Sequence, residues 1–348
     1  MSARTAAALG LVSTPGMTPA RLARLLDHWP DPEEALAALG ADGRAAMATS
    51  AATAKRRRTR VFLAGEPDFP IPDDLPGRPA VLLAEGDRPE AFDAPRVAIV
   101  GTRAATPHGL SDARALGAYL AGHGVSVVSG LAIGIDGAAH AGAVEGTRPD
   151  LRAGPIGVVA TGLDVVYPRR HLALFEQVRG QGLLVGEVPY GTQPAPGRFP
   201  VRNRIIAALA DLLVVVEATV HGGARITAER ALEYGRPVFA VPGSRRNPSA
   251  AGCNALLADG ALPLLDPSDI LLALGLTPGS RRGWDARPSP RPLSPQAKAV
   301  EAALAGEPAH PDDLTIRTGL SAETISLALE ELLAADRVER SRGYVWPR

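Results

Sequence analysis

Two short stretches of the chain place anion-binding groups directly after apolar, β-branched runs. Gly101-Thr102-Arg103 follows VAIV at 97–100, and Ser129-Gly130 follows VSVV at 125–128. The first turn offers backbone N–H groups, a hydroxyl and a guanidinium, and the second adds a hydroxyl and an unhindered backbone, a set complementary to phosphate. One amphipathic stretch separates the two runs, so residues 97–140 read as a βαβ unit. Its turns then sit at strand C-termini, where a doubly wound parallel sheet opens its ligand crevice. Neither GxGxxG nor GxxxxGK[ST] occurs there, which excludes an ordinary dinucleotide fingerprint and a Walker loop.

More positive charge is expected at the same rim. Arg169, Arg170 and His171 come directly after GLDVVYP at 162–168, and Arg202, Asn203 and Arg204 lie in the first turn of a helix opened by Phe199-Pro200. Cations at a helix N-terminus oppose its dipole. Arg202 or Arg204 is therefore expected to meet an anion, or an acidic partner such as Glu187 or Glu217. Only Lys55 and Lys298 are lysines, so phosphate contacts would be guanidinium forks.

Other chemistry finds little support. Seven histidines and one cysteine show no zinc spacing, and the Asp136/His140 pair reads as orienting a helix rather than binding metal. No paired-carboxylate or nucleophile-elbow signature occurs in a suitable context. No catalytic residue, metal or cofactor is expected. With 4% aromatic residues, base stacking would rest on a few groups such as Tyr167, His171 or Phe175, and sequence preference would be weak.

The elements that must position these groups follow from patterning. At 348 residues, 46% hydrophobic and 21% charged, the chain can bury a full core in two or three domains. Its net charge is zero, so any nucleic-acid site must be a local patch. The single cysteine, Cys253, the lack of any ~20-residue apolar stretch and the lack of a signal-peptide pattern point to the cytoplasm.

Residues 1–63 carry helical stripes (Leu22, Leu25, Leu26; Leu36, Leu39) and read as a small SAM-like or helix-hairpin-helix-like module, with packing favoured over DNA binding. Its run Lys55-Arg56-Arg57-Arg58-Thr59-Arg60 reads as a solvated helix end, the alternative being a phosphate patch. Residues 64–276 alternate apolar strands (81–85, 97–101, 125–129, 156–160, 183–187, 212–217, 237–241) with helices, as parallel strands buried on both faces require. Residues 277–292 read as a flexible linker. From 293 to 348 follow a helix, a second helix, a turn at Gly319, a third helix capped by Ser321 and a hairpin through Gly343, the order of a winged helix. Glu323, Glu330 and Glu331 make its last helix acidic, which favours a protein contact over duplex reading.

The strings EPDFP (66–70), VAIVGTR (97–103), TPHG (106–109), VVSGLAIGIDGAAH (127–140), GLDVVYP (162–168), FPVRNRIIAAL (199–209), ITA (226–228), VFAVPGS (238–244) and GCN (252–254) resemble the DNA-processing protein A (DprA or Smf) family over about 66–272. The resemblance implies an extended Rossmann core that binds single-stranded DNA, forms a homodimer and helps load the RecA recombinase in natural transformation. It implies phosphate contacts at Gly101, Thr102, Arg103, Ser129, Gly130, Arg169, Arg170, His171, Arg202, Asn203, Arg204 and Thr227. Ile133 stands where the family commonly has arginine, His171 where asparagine is usual, and Arg225 where an apolar residue is usual; Arg225 could restore the charge absent at Ile133.

The alternative is an enzyme. HGGARITAE at 221–229 keeps the double glycine and Glu spacing of the PGGxGTxxE loop of the related "Lonely guy" phosphoribohydrolases, but Arg225 and Ile226 replace its Gly-Thr pair. That removes the glycine freedom and hydroxyl of a tight phosphate loop. Glu229 is thus expected on a helix surface, and no enzymatic activity is expected.

Overall fold

Continuous Val/Ile/Leu runs suit strands covered on both faces, and they form the centre of one large sheet. The computed structural model describes residues 2–277, 293–304, 307–334, 337–341 and 344–347. Four helices come first: α1 (Ala3–Ser13), α2 (Pro19–His28), α3 (Pro32–Ala38) and α4 (Gly40–Arg57). The sheet region runs β1 (Arg60–Leu63), β2 (Val81–Glu85), β3 (Arg96–Val100), α5 (Pro107–Gly122), β4 (Ser126–Ser129), α6 (Ile135–Gly146), β5 (Ile156–Val158), α7 (Leu172–Gln181) and β6 (Leu183–Gly186). It continues with α8 (Arg198–Leu209), β7 (Leu212–Val215), α9 (Gly223–Glu233), β8 (Val238–Ala240), α10 (Ala251–Ala258), β9 (Leu262–Pro263) and α11 (Ser268–Ala273).

The strand order is β1-β2-β6-β5-β4-β3-β7-β8-β9. Strands β6 to β9 in that order are parallel, while β2 is antiparallel to both β6 and β1. From β3 the chain winds through β4 and β5 to β6, then returns to place β7 on the other side of β3. The topological switch point therefore lies between the C-termini of β3 and β7.

Strand β1 falls inside the stretch read as helical from sequence. Four residues with an exposed Arg60 at one end are too short and too mixed to show an alternation. The preceding helices pack on the sheet itself: Leu9, Leu11, Leu22 and Leu36 share an apolar cluster with Val81, Leu83 and Leu184. A buried carboxylate anchors this junction. Glu85, at the end of β2, accepts from Arg57 Nε and Nη2 at 2.8 and 2.9 Å, from Thr59 Oγ1 at 2.9 Å and from the Tyr190 hydroxyl at 3.1 Å. A desolvated carboxylate needs such donors, so Arg57 belongs to the fold rather than to a surface patch.

The residues from 293 onward form a second compact unit. It contains α12 (Pro295–Leu304), α13 (Pro311–Thr318), α14 (Ala322–Ala334), β10 (Val338–Ser341) and β11 (Tyr344–Pro347), around Val300, Leu304, Leu314, Ile325, Leu329 and Val345. Gly319 ends α13 at φ +71, and Ser321 Oγ accepts from the Thr324 N–H at 3.2 Å. Glu323, Leu327 and Glu330 are exposed on α14. Apart from Thr277, the expected linker at 277–292 lies outside the described residues, as does Gly343. Among the described residues no helix is long and apolar enough to cross a membrane.

His140 on α6 is fully buried, with Nε2 3.2 Å from the Ile156 carbonyl and Nδ1 without a partner. Burial pushes its pKa down to about 4, so the folded ring stays neutral where an unfolded histidine already protonates, near ~6.5. The unfolded chain then binds the extra proton. Stability is complete above pH ~6.5 and falls as the pH drops towards 4, by up to about 3 kcal/mol. Urea unfolding of the wild type and His140→Leu at pH 7.5 and 4.5 should show a smaller acid loss in the variant; equal losses would refute this assignment.

Candidate functional site

A crevice of about 520 Å³ opens at the switch point. Its walls are the loop after β3 (Gly101, Thr102, Arg103), the segment after β7 (Ala218, Thr219), the start of α8 (Phe199, Pro200, Arg202, Asn203) and the start of α9 (Gly222, Gly223, Ala224). Glu217 holds the first wall in place. Its backbone carbonyl accepts from the Thr102 N–H at 2.7 Å, and its carboxylate accepts from the Thr106 N–H at 2.8 Å and hydroxyl at 2.6 Å. A Cβ on Gly109 would lie 2.4 Å from the Glu217 carboxyl carbon, so only glycine lets α5 approach this clamp.

The floor is a buried polar cluster. Arg202, 5% exposed, donates from Nη1 to the Gly130 carbonyl at 2.8 Å and also to the Val158 carbonyl. The Asp136 carboxylate accepts from the Gly130 N–H at 3.1 Å. A Cβ on Gly130 would fall 2.5 Å from Arg202 Nη2 and 2.6 Å from Asp136 Oδ2. Burial pushes the Arg202 pKa down to about 10, against the attraction of Asp136. Burial raises that of Asp136, opposed by Arg202 and by the N–H groups of Gly130 and Gly101.

Above this floor the exposed groups are few. Arg103 is exposed and lies with its guanidinium carbon 5.0 Å from the centre of the Phe199 ring. The Phe199 and Tyr167 rings are 5.5 Å apart at 38°, and Tyr167 is 41% exposed. The N-terminus of the 11-residue α9 opens into the same space, and its free N–H groups and dipole favour an anion. One cation, two aromatic faces and one helix N-terminus thus converge, a combination able to hold a phosphate beside a stacked ring.

The structure brings together Gly101, Thr102, Arg103, Arg202, Asn203 and Thr227 as lining residues, but several act differently from expectation. The Thr102 N–H is taken by Glu217, and its hydroxyl accepts from the Ala104 N–H at 3.2 Å, so that turn's anion-binding capacity rests on the Arg103 guanidinium and the Thr102 O–H. Ser129 is corrected: its buried Oγ donates to the Ile99 carbonyl at 2.6 Å across the sheet. Gly130 serves the Arg202 cluster, and Arg202 itself is a buried support. Thr227 Oγ1 donates to Gly223 O at 3.1 Å, and Asn203 Nδ2 lies 3.5 Å from the same carbonyl.

Arg204 is also corrected. It pairs with the buried Glu187, the acidic partner foreseen as the alternative, and does not line the crevice. Arg169 and Arg170 are exposed but outside its lining. His171 Nδ1 sits 3.0 Å from the Leu131 carbonyl. Phe175 is 1% exposed and belongs to the core. Phe199, not among the expected stacking groups, stands beside Tyr167 where Phe175 was expected, and its one sequence signal is an aromatic directly before a proline at a helix start. Arg225 does not compensate for Ile133: it pairs with Glu229 at 3.3 Å and Asp259 at 3.1 Å, while Ile133 lines a side recess by Tyr167. Among the described residues no group of three or more His, Cys, Asp or Glu is placed to hold a metal.

Comparison with known proteins identifies the family. Residues 40–275 match the family model of DNA recombination-mediator protein A, and residues 285–343 match the DprA winged helix domain. Protein Smf of Synechocystis is 33% identical over 317 residues, 81% of this chain and 78% of its own length. The DNA processing protein DprA of Bacillus subtilis is 40% identical over 192 residues, 55% of this chain and 63% of its own length. The X-ray structure of DprA from Streptococcus pneumoniae superposes with a TM-score of 0.64 at 30% identity, covering 77% of this chain and 97% of that one. DNA processing protein A from Helicobacter pylori, solved for its single-stranded DNA binding mode, gives 0.54 at 28% identity over 62% of this chain and 95% of its own. With the family model matching residues 40–275, most of its length, the chain belongs to the DNA recombination-mediator protein A family.

Proposed function

We propose that the crevice binds single-stranded DNA without turnover, and that the chain works as a cytoplasmic homodimer that helps load the RecA recombinase on incoming DNA. One observation carries the first part: Arg103 rests on Phe199, beside Tyr167 and the N-terminus of α9, in a crevice otherwise supported by enclosed charges. Phosphate meets a guanidinium and a helix dipole, and a base meets an aromatic face. The H. pylori relative, described by its single-stranded DNA binding mode, supports the same ligand. The roles of RecA and natural transformation rest on the family resemblance. Exposed Leu262 and Leu272, on edge strand β9 and on α11, support dimerisation through the core.

Hydrolysis of nucleotides is the second reading, and Glu229 disfavours it. That carboxylate is exposed, bonded to Arg225, and outside the crevice lining. Asp136, the carboxylate that does line the crevice, is held under it by Gly130 rather than presented to a ligand.

Fluorescence anisotropy with a labelled oligo-dT should show Arg103→Ala flattening the log K against log salt line by about 0.7, the value for one single-strand phosphate. Phe199→Ala should weaken binding by about 5- to 150-fold, as expected for a lost stacking face worth roughly 1–3 kcal/mol. Arg204→Ala should instead lower the urea midpoint, because Glu187 loses its partner, while leaving the salt slope unchanged. Wild-type binding by Arg103→Ala at every salt concentration would show that the strand lies elsewhere. Incubation with nucleoside monophosphates should release no free base; release abolished by Glu229→Gln would establish the hydrolase instead. Light scattering at micromolar concentration should give twice the monomer mass, and monomers with and without DNA would exclude the homodimer.

A further inference from the structure

The basic run at 55–60 plays no part in the crevice. Because β1 is antiparallel to β2, and β2 to β6, strand β1 runs in the direction of the parallel strands. Arg60, its first residue, therefore stands at the end of the sheet away from the crevice. Arg57 is held by Glu85. Lys55, Arg56, Arg58 and Arg60 are all exposed, and among the described residues none makes an ion pair or a side-chain hydrogen bond. By contrast Arg114, Arg148, Arg204 and Arg230 are each paired with a carboxylate. Favourable interaction with the helix dipole accounts for cations at the end of α4. It does not account for Arg60, which lies on the edge strand.

Arg60 borders a groove of about 670 Å³ that also holds Phe62, Phe69 and Phe92, three of the six phenylalanines in the chain. Phe62 projects from the same face of β1 as Arg60. Its ring meets that of Phe92 edge to face at 5.6 Å, and all three phenylalanines are only partly buried. Asp93 on the rim is paired with Arg152 at 3.3 Å, whereas Asp68 and Glu90 carry no ion pair among the described residues. These two carboxylates repel phosphate and can accept from the N–H groups of bases, the thymine imide included. Polarity is thereby set, with backbone on the cationic side and bases in the groove. A run of unpaired cations whose last residue, Arg60, borders a partly open aromatic groove matches a single strand better than a duplex, whose bases are already stacked.

We propose that this surface is a second single-stranded nucleic-acid site, in which Lys55, Arg56, Arg58 and Arg60 hold phosphates while the three phenylalanines receive bases. It extends the function proposed for the crevice, on which only the choice of ligand rests. The test uses the full chain with labelled oligo-dT of about 30 nucleotides, longer than the ~4–16 nucleotides of one site. The variants are K55Q/R56Q/R58Q/R60Q, Phe69→Leu and the crevice variant R103A/F199A, with circular-dichroism melting to confirm each fold. The four-fold variant should flatten the salt slope by about 0.7 for each phosphate released, and Phe69→Leu, which keeps the apolar packing, should weaken binding several-fold. Both effects should persist in the R103A/F199A background. Persistence separates the two sites: if R103A/F199A alone binds like wild type, the crevice assignment fails and this one is still read. A wild-type slope in the four-fold variant overturns the proposal, and so does unaltered binding by Phe69→Leu, which would leave only a diffuse electrostatic surface.

Discussion

A guanidinium enclosed in protein must find acceptors or be expelled, and Arg202 finds them at one place in this fold. It reaches from α8 to the carbonyls that end β4 and β5, while Asp136 at the start of α6 accepts the N–H between them. Four elements are thereby tied around Arg202 and Gly130, and Gly130 has no side chain to obstruct the approach. The alternation of sheet and helix is general to doubly wound proteins. This cluster is what sets the depth and floor of the crevice in this chain. It also separates two tasks that a string of arginines in sequence leaves merged, because the enclosed Arg202 supports and the exposed Arg103 is free to meet a ligand.

The same logic recurs at two carboxylates. Glu217 fastens the loop after β3 and the first turn of α5 to β7, so the loop bearing Arg103 is a rigid mount. Glu85 draws Arg57, Thr59 and Tyr190 onto the end of β2 and locks the N-terminal helices to the sheet. Each is desolvated and each is compensated by several donors, the condition under which a buried charge specifies an arrangement instead of disrupting it. Neutral overall charge gives the molecule no long-range pull on nucleic acid. The binding proposed above therefore rests on small local concentrations of unpaired arginine.

Much of the architecture was legible in the sequence. Uninterrupted apolar runs marked the strands at 81–85, 97–101, 125–129, 156–160, 183–187, 212–217 and 237–241 to within a few residues, since strands covered on both faces tolerate nothing else. Gly319 and Ser321 marked the turn and cap of the winged helix, because a left-handed residue and a side-chain acceptor are local requirements. The turn after β3 and the start of α8 were also recognisable as walls of one crevice, since right-handed crossovers bring them to the same rim. Short β1 and β9 were not, because two to four residues carry too little pattern.

The assignment of polar groups within that crevice belonged to the tertiary structure alone. Ser129 and Thr102 look equivalent in sequence, yet one hydroxyl is sealed between strands and the other sits on the crevice wall. Arg202, Arg204 and Arg103 carry the same charge, and only the packing determines that Gly130, Glu187 and open solvent are their respective neighbours. Periodicity along a chain records which face of an element is apolar. It does not record which residue from a distant segment will stand opposite a charge, and that through-space pairing decides whether an arginine supports the fold or remains available to a ligand.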